Sequence, residues 1–246
     1  MALKASPSDQ ALLLDLQEID TRLNQINHRG KSLPEHAALQ KLAAERAVLA
    51  RTLGERSGAV EDVKTELGRI ESDVSVVEAR IKRDTDRLAT SSSVKDVQAL
   101  EQELDALRNR QFNLEEIELT VMERLEEVTA SYDETKREVD AIDAQVAEIE
   151  ATRDATLEVV QVERANATAN REAIATKIPA DLLALYEKQR ARYGVGASHL
   201  RGGVSSASGV KLLENVMVEI RNAAPDDVLM CPDSEAILVR TSESGL

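Results

Sequence analysis

Apolar residues recur along this chain in alternating steps of three and four. One stripe runs from Leu39, Leu42 and Leu49 through Val60, Val63, Leu67, Ile70, Val74 and Val77 to Ile81 and Leu88. It resumes at Val97, Leu100, Leu104 and Leu107 and continues through Leu114, Val121 and Leu125 to Val139, Ile142, Val146 and Ile149. Such steps are the a/d repeat of a coiled coil, which keeps one seam turned toward a partner helix. Between the stretches stands the polar triplet Ser91, Ser92, Ser93, and Ser93 with Asp96 is spaced as a capping box for a returning helix. The pattern predicts two long helices folded back as an antiparallel hairpin with its tip at residues 91–93. Arg46, Arg56, Asp84, Gln111 and Glu118 interrupt the seam at nominal core positions, where such residues snorkel or set register.

Ser6-Pro7-Ser8-Asp9 has the form of a helix start, and a shorter stripe of Leu12, Leu16, Ile19, Leu23 and Ile26 follows it. Residues 29–35 break that stripe with Gly30 and Pro34, and Ser32 with Glu35 is spaced to cap the next helix, so an elbow is expected there. The return helix meets no Pro or Gly before Pro179. Symmetric pairing about Ser92 would set 94–178 against 8–90, a rod of roughly 80 residues and on the order of 120 Å. The same seam would also serve a parallel dimer, or a dimer of hairpins. Matched arms around one short polar turn favour the intramolecular hairpin; monomer and homodimer both stay open.

After Ile178-Pro179 the pattern changes. Residues 180–192 form a short amphipathic helix, and Gly194, Gly196, Gly202, Gly203 and Gly209 crowd the stretch beyond it. Two β-like runs follow, 227–230 and 236–240. The fold class is mainly α, with a coiled-coil hairpin over 1–179 and a short helix plus a small β module over 180–246. A module of that size needs packing or a staple to be stable. Its candidate core sets Leu212, Leu213, Val216, Val218 and Ile220 against Val228, Met230, Ile237 and Val239.

Composition supports long helices over a compact core. Charged residues make up 31% and aromatics 2%, with no Trp and one Phe. The net charge of −14 is spread along the arms, which suits a soluble exposed helix pair and opposes phosphate binding by the shaft. Acidic and polar residues interrupt the first twenty positions, so a signal peptide is not expected. No apolar run approaches the roughly 20 residues that span a bilayer. With one cysteine, Cys231, the expected setting is the reducing cytoplasm, with no membrane partner.

Catalytic chemistry is hard to place. His28 and His36 flank the elbow as solvated residues, and His199 lies among glycines with no acid beside it. There is no HExxH, GxSxG or P-loop pattern. Residues 194–199 miss the last position of a GxGxxG fingerprint and follow a helix, where that fingerprint follows a strand. The chain is not expected to be an enzyme.

The segments RYGVGASHLRGG, 205–208 and EIRNAAPDDVLMCPDSEAILVR resemble the tail of bacterial four-cysteine zinc-ribbon proteins that carry a coiled-coil hairpin. The resemblance covers hairpin, short helix and ribbon in that order. It implies two CxxC knuckles holding zinc. Here the four ligand positions would be Ser205, Ser208, Cys231 and Ser234, and only Cys231 keeps a thiol. Hydroxyls are poor zinc ligands, so no metal or other cofactor is expected. Glu235 stands where the family has glycine, which points to natural degeneration beyond simple Cys→Ser exchange. Cys231, Asp233 and His199 remain as a substitute donor set. Two functions are in view. One is a non-enzymatic adaptor that binds an unidentified protein through the hairpin tip, the ribbon, or both. The other, implied by the resemblance, is RNA or DNA binding through the ribbon and residues 186–201. There Lys188, Arg190, Arg192, His199 and Arg201 are the cations, and Tyr186 and Tyr193 offer rings for stacking.

Overall fold

The computed structural model describes residues 3–246. Three long helices come first: α1 (Pro7–Lys31), α2 (Pro34–Thr90) and α3 (Val94–Ala175). α2 and α3 are antiparallel arms joined at Ser91–Ser93, and every seam residue of both arms is buried or half-buried except Arg46. Heptad spacing therefore closes within one chain. Arg46, Arg56, Asp84 and Gln111 find partners across or along the pair. Arg46 Nη2 lies 3.0 Å from Asp143 Oδ2. Arg56 Nη1 donates to the Ser131 carbonyl at 2.7 Å and to the Thr135 hydroxyl. Asp84 is buried, with Arg87 3.4 Å away and Arg80 3.9 Å away on its own helix. Exposed pairs such as Arg124 with Glu66 and Arg80 with Glu103 bridge the arms, each contributing about 0–1 kcal/mol.

The elbow is narrower than the sequence pattern suggests. α1 continues through Arg29, Gly30 and Lys31, leaving only Ser32 and Leu33 between helices. Gly30 lies inside the helix where the arm opposite comes close: a Cβ there would sit 3.3 Å from Val160 Cγ1. Ser32 turns its hydroxyl back onto the His28 carbonyl at 2.8 Å, closing α1. At the start of α1 the reading holds, with the Asp9 amide donating to Ser6 Oγ at 3.1 Å.

After α3 come α4 (Ala180–Tyr193), β1 (Ala197–Arg201), β2 (Val204–Ser205), α5 (Glu214–Asn222), β3 (Leu229–Met230) and β4 (Ile237–Val239). The sheet order is β2-β1-β4-β3, with β1 and β4 parallel and the outer pairs antiparallel. Each face of this small sheet is covered, which is why all three residues of β4 are apolar and buried. Ile237 and Val239 join Leu13, Leu16, Leu182 and Tyr186 on the α1/α4 face. Leu238 joins Leu200, Leu212, Met217, Ile220 and Cys231 on the α5 face. The 214–222 segment is helical, so Leu213 and Val218 point outward and Met217 supplies the core contact instead.

Two compact units result. One comprises Glu35–Ala151; the other gathers the chain up to Pro34 with Thr152–Leu246. The second unit draws its lines differently from a split at residue 179. α1 must stay with the β module because Leu13 and Leu16 complete that module's core.

Candidate functional site

The cations and rings of the 186–201 segment meet very different surroundings. Tyr186 is fully buried, and its hydroxyl donates to Asp20 Oδ2 at 2.7 Å. Asp20 is itself 1% exposed. It accepts from Arg171 Nε at 2.7 Å and from Arg190 Nη1 at 3.0 Å, while Glu187 accepts from Arg171 Nη2 and from Arg190 Nε. Burial, helped by the bond to Asp20, pushes the Tyr186 phenol far above its ordinary range. The hydrogen bond to Asp20 likewise raises Arg171. A ring with no open face cannot stack on a base, and Arg190 is committed to two carboxylates. Tyr186 is therefore a core residue and Arg190 a half-buried partner in its ion-pair cluster, a correction to their expected role.

The other members of that set lie outside the core. Lys188 is exposed. Arg192 lies over the half-open ring of Tyr193, 5.1 Å from its centroid. Arg201 Nε is 2.6 Å from Glu243 Oε2. His199 Nε2 is 2.7 Å from Thr241 Oγ1, and its Nδ1 is buried without a partner. His199 and Arg201 help line an open groove of about 770 Å³ along α1, with Gln17, Arg22, Gln25 and Glu243 on its walls.

The four serine and cysteine positions fall on two loops of the same construction. In the first, the Ser205 amide donates to the Val210 carbonyl at 3.2 Å and the Gly209 amide returns to the Ser205 carbonyl at 2.8 Å. In the second, the Cys231 amide donates to the Ala236 carbonyl at 2.8 Å and the Glu235 amide to the Cys231 carbonyl at 2.9 Å. The fifth residue of each loop has positive φ, Gly209 at 66° and Glu235 at 57°. Ser205 and Cys231 are buried and meet with Oγ and Sγ 3.3 Å apart. Ser205 Oγ is also 2.7 Å from Ser198 Oγ, which accepts from the Ala207 amide at 3.1 Å. Ser208 Oγ accepts from the Val210 amide at 3.2 Å, and Ser234 Oγ is buried with no partner.

This donor set does not fit a structural zinc ion. A closed tetrahedron needs thiolate or imidazole donors, and here one thiol faces hydroxyls. Burial works to raise the Cys231 thiol, but the Ser205 and Ser234 hydroxyls and the backbone of Ser234 and Asp233 outweigh it and leave the group below its ordinary value. The substitute set of Cys231, Asp233 and His199 is not assembled: no group of three such donors converges among the described residues.

At the hairpin turn, Ser91 is half-buried while Ser92, Ser93 and Val94 are exposed, Val94 at 75%. Ser93 Oγ accepts from the Asp96 amide at 3.5 Å, so the triplet acts as a helix cap. Five cations and three carboxylates occupy residues 79–97, a local excess of positive charge on an acidic chain. Sequence reasoning missed Asp20, Gln17, Arg171 and Ser198. Asp20, Gln17 and Arg171 are ordinary polar residues on helix faces with partners far away in the chain, and Ser198 is a strand residue whose partners Ser205 and Ala207 come from the turn that follows. Asp20 carries one visible signal, a carboxylate beside Ile19 in an otherwise apolar stripe.

The CT398-like coiled coil hairpin domain matches residues 16–194. An uncharacterized protein of Mycobacterium tuberculosis is 33% identical over 239 residues, covering 97% of this chain and 98% of its own. A solved structure from Mycobacterium smegmatis superposes with TM-score 0.84 at 37% identity, covering 97% of this chain and all of the other. CT398 from Chlamydia trachomatis shares the fold at TM-score 0.62 and 17% identity, covering 94% of this chain and 97% of its own.

Proposed function

This chain belongs to the CT398-like coiled coil hairpin domain family, and from that footing we propose that it is a non-enzymatic adaptor that binds a protein partner. The hairpin turn and the C-terminal module are its contact surfaces. The observation that carries the reading is the turn itself. Val94 is 75% exposed there, within a stretch (79–97) of five cations and three carboxylates on a chain of net charge −14. An exposed apolar side chain on a locally cationic stretch suits an acidic protein surface, since complementary charge steers encounter and fixes register. Among the described residues no constellation of nucleophile, base and oxyanion donor competes with that reading. We place the protein in the cytoplasm on its single buried thiol. No helix among the described residues is long and apolar enough to cross a membrane.

We read the C-terminal module as a zinc-ribbon-like fold that has lost its metal. The support is the matching hydrogen-bond register of the 205–210 and 231–236 loops, with a left-handed residue at the same place in each. In this reading the Ser198, Ser205 and Cys231 contacts take over the loop-to-loop link that a metal would otherwise provide.

Nucleic-acid binding is the second reading. It retains Lys188, Arg192, Tyr193, His199 and Arg201, with Arg22 across the groove. Two experiments separate the readings. Partner capture from native cells should be lost when Val94→Glu and Lys95→Glu are combined; undiminished capture would remove the turn from the contact surface. Mobility shifts with short RNA and DNA should show no binding at low salt. Binding that weakens steeply with salt, and less steeply in Arg192→Ala with Arg201→Ala, would establish the second reading.

A further inference from the structure

The chain's only phenylalanine is not in a core. Phe112 is 59% exposed on α3, and Leu119 (61%) and Met122 (44%) are exposed beside it. At 3.6 residues per turn the three side chains fall within an arc of about 80° and span about 15 Å of helix. They lie outside the seam formed by Gln111, Leu114, Glu118 and Val121. Isolated exposed apolar residues are normal, but an aligned stripe built on a large aromatic and a methionine is the composition of a recognition surface. The same face is acidic: Glu115 and Glu126 fall within the arc between Leu119 and Met122, and Glu116 and Glu123 lie along its Phe112 side, all exposed. Gln111 donates to Glu115 at 2.9 Å, and the other three carry no ion pair.

We propose that this stripe docks a basic amphipathic helix of a partner protein. Its apolar face would lie on Phe112, Leu119 and Met122, and its Lys or Arg side chains would reach Glu116, Glu123 and Glu126. Charge decides the occupant. A second copy of the same surface would set carboxylates against carboxylates, whereas a cationic helix neutralises them as the apolar side chains are covered. The surface is separate from the turn and stands whether or not the turn binds.

The test uses the full chain and two labelled peptides of about 18 residues, five helical turns. One is a Leu/Lys amphipathic helix; the other is a scrambled isomer of equal charge with no apolar face. Fluorescence anisotropy should give a preference of about tenfold or more for the amphipathic helix. Phe112→Ser with Leu119→Ser should abolish that preference without shifting the melting temperature, because both side chains are solvent-exposed. Val76→Ser, a change at an exposed valine on α2, should retain it, and Glu116→Lys with Glu123→Lys should weaken both peptides. Equal binding of the two isomers would overturn the proposal, as would a preference that survives Phe112→Ser with Leu119→Ser. A dimer seen by light scattering and lost in that double variant would also overturn it, by making a second copy the occupant.

Discussion

Glu235 holds in its loop, at φ 57°, the place that Gly209 holds at φ 66° in the twin loop. The backbone of both loops needs a left-handed residue there to turn the amide back onto the carbonyl four residues earlier. A side chain in that region costs about 1–2 kcal/mol, and the freedom glycine brings to the unfolded chain offsets about 0.4–1 kcal/mol. Glu235→Gly is therefore expected to stabilise the protein by roughly 0.5–1 kcal/mol. Urea unfolding with an unchanged slope and a higher midpoint would show it; a lower midpoint would mean that the Glu235 side chain holds the loop in some other way.

Purified protein is expected to contain no stoichiometric zinc, and chelators should leave its melting curve unchanged. Ser205→Cys, Ser208→Cys and Ser234→Cys together should create a site that takes one zinc per chain, because the two loops already share a backbone register. Elemental analysis reads both proteins. One zinc per chain in the natural protein would overturn the donor-set argument.

Alkaline pH should probe the Tyr186 environment. Burial and Asp20 hold the folded phenol above the ordinary value of 10.0. Above that pH the unfolded chain releases the proton while the folded chain keeps it. Fewer protons on the unfolded state make stability fall as pH rises, by about 1.4 kcal/mol per unit for one group. Below pH 10 this group contributes no slope. Tyr186→Phe should flatten the decline seen by denaturant unfolding above pH 10, and an unchanged decline would place its cause elsewhere.

Removing the carboxylate at the centre of that cluster should be costly. Asp20→Asn leaves Arg171 and Arg190 partly buried and facing a neutral amide. Breaking one side of a buried pair costs about 3–5 kcal/mol, enough to lower the thermal midpoint by many degrees. A loss below 1 kcal/mol would show that Glu187 alone satisfies both arginines.

Gly196 is a steric requirement. A Cβ there would lie 2.5 Å from the Tyr186 ring and 2.8 Å from the Tyr186 carbonyl oxygen. Gly196→Ala should destabilise by about 1–3 kcal/mol, while Gly54→Ala, with open space around it inside a helix, should stabilise slightly. Melting curves of the two variants should move in opposite directions.

The hairpin was legible because its signal is local and repeated. Each a/d step adds to the last, so Leu100, Leu104 and Leu107 announce their own burial without knowledge of what covers them. Helix ends were legible for the same reason, since Ser6 and Ser93 lie within three residues of the amides they cap. Residues 214–222 show the limit. Leu212, Val216, Val218 and Ile220 alternate as a strand would, and only the sheet below decides that Met217 and Ile220 turn inward as a helix. The surroundings of two residues of the basic segment were hidden on the same ground. Tyr186 and Arg190 look like exposed side chains on a short helix until Asp20, more than a hundred residues away, closes over them.

Periodicity and capping in the sequence alone determined the folded-back helical arms and the turn at residues 91–93. The tertiary structure alone decided which polar residues are buried, that α1 belongs with the β module, and that the two loops share one backbone design. Helical repeats are written between neighbours a few residues apart. Burial of a charge or the need for a glycine depends on what a distant segment brings to it, and no local pattern encodes that encounter.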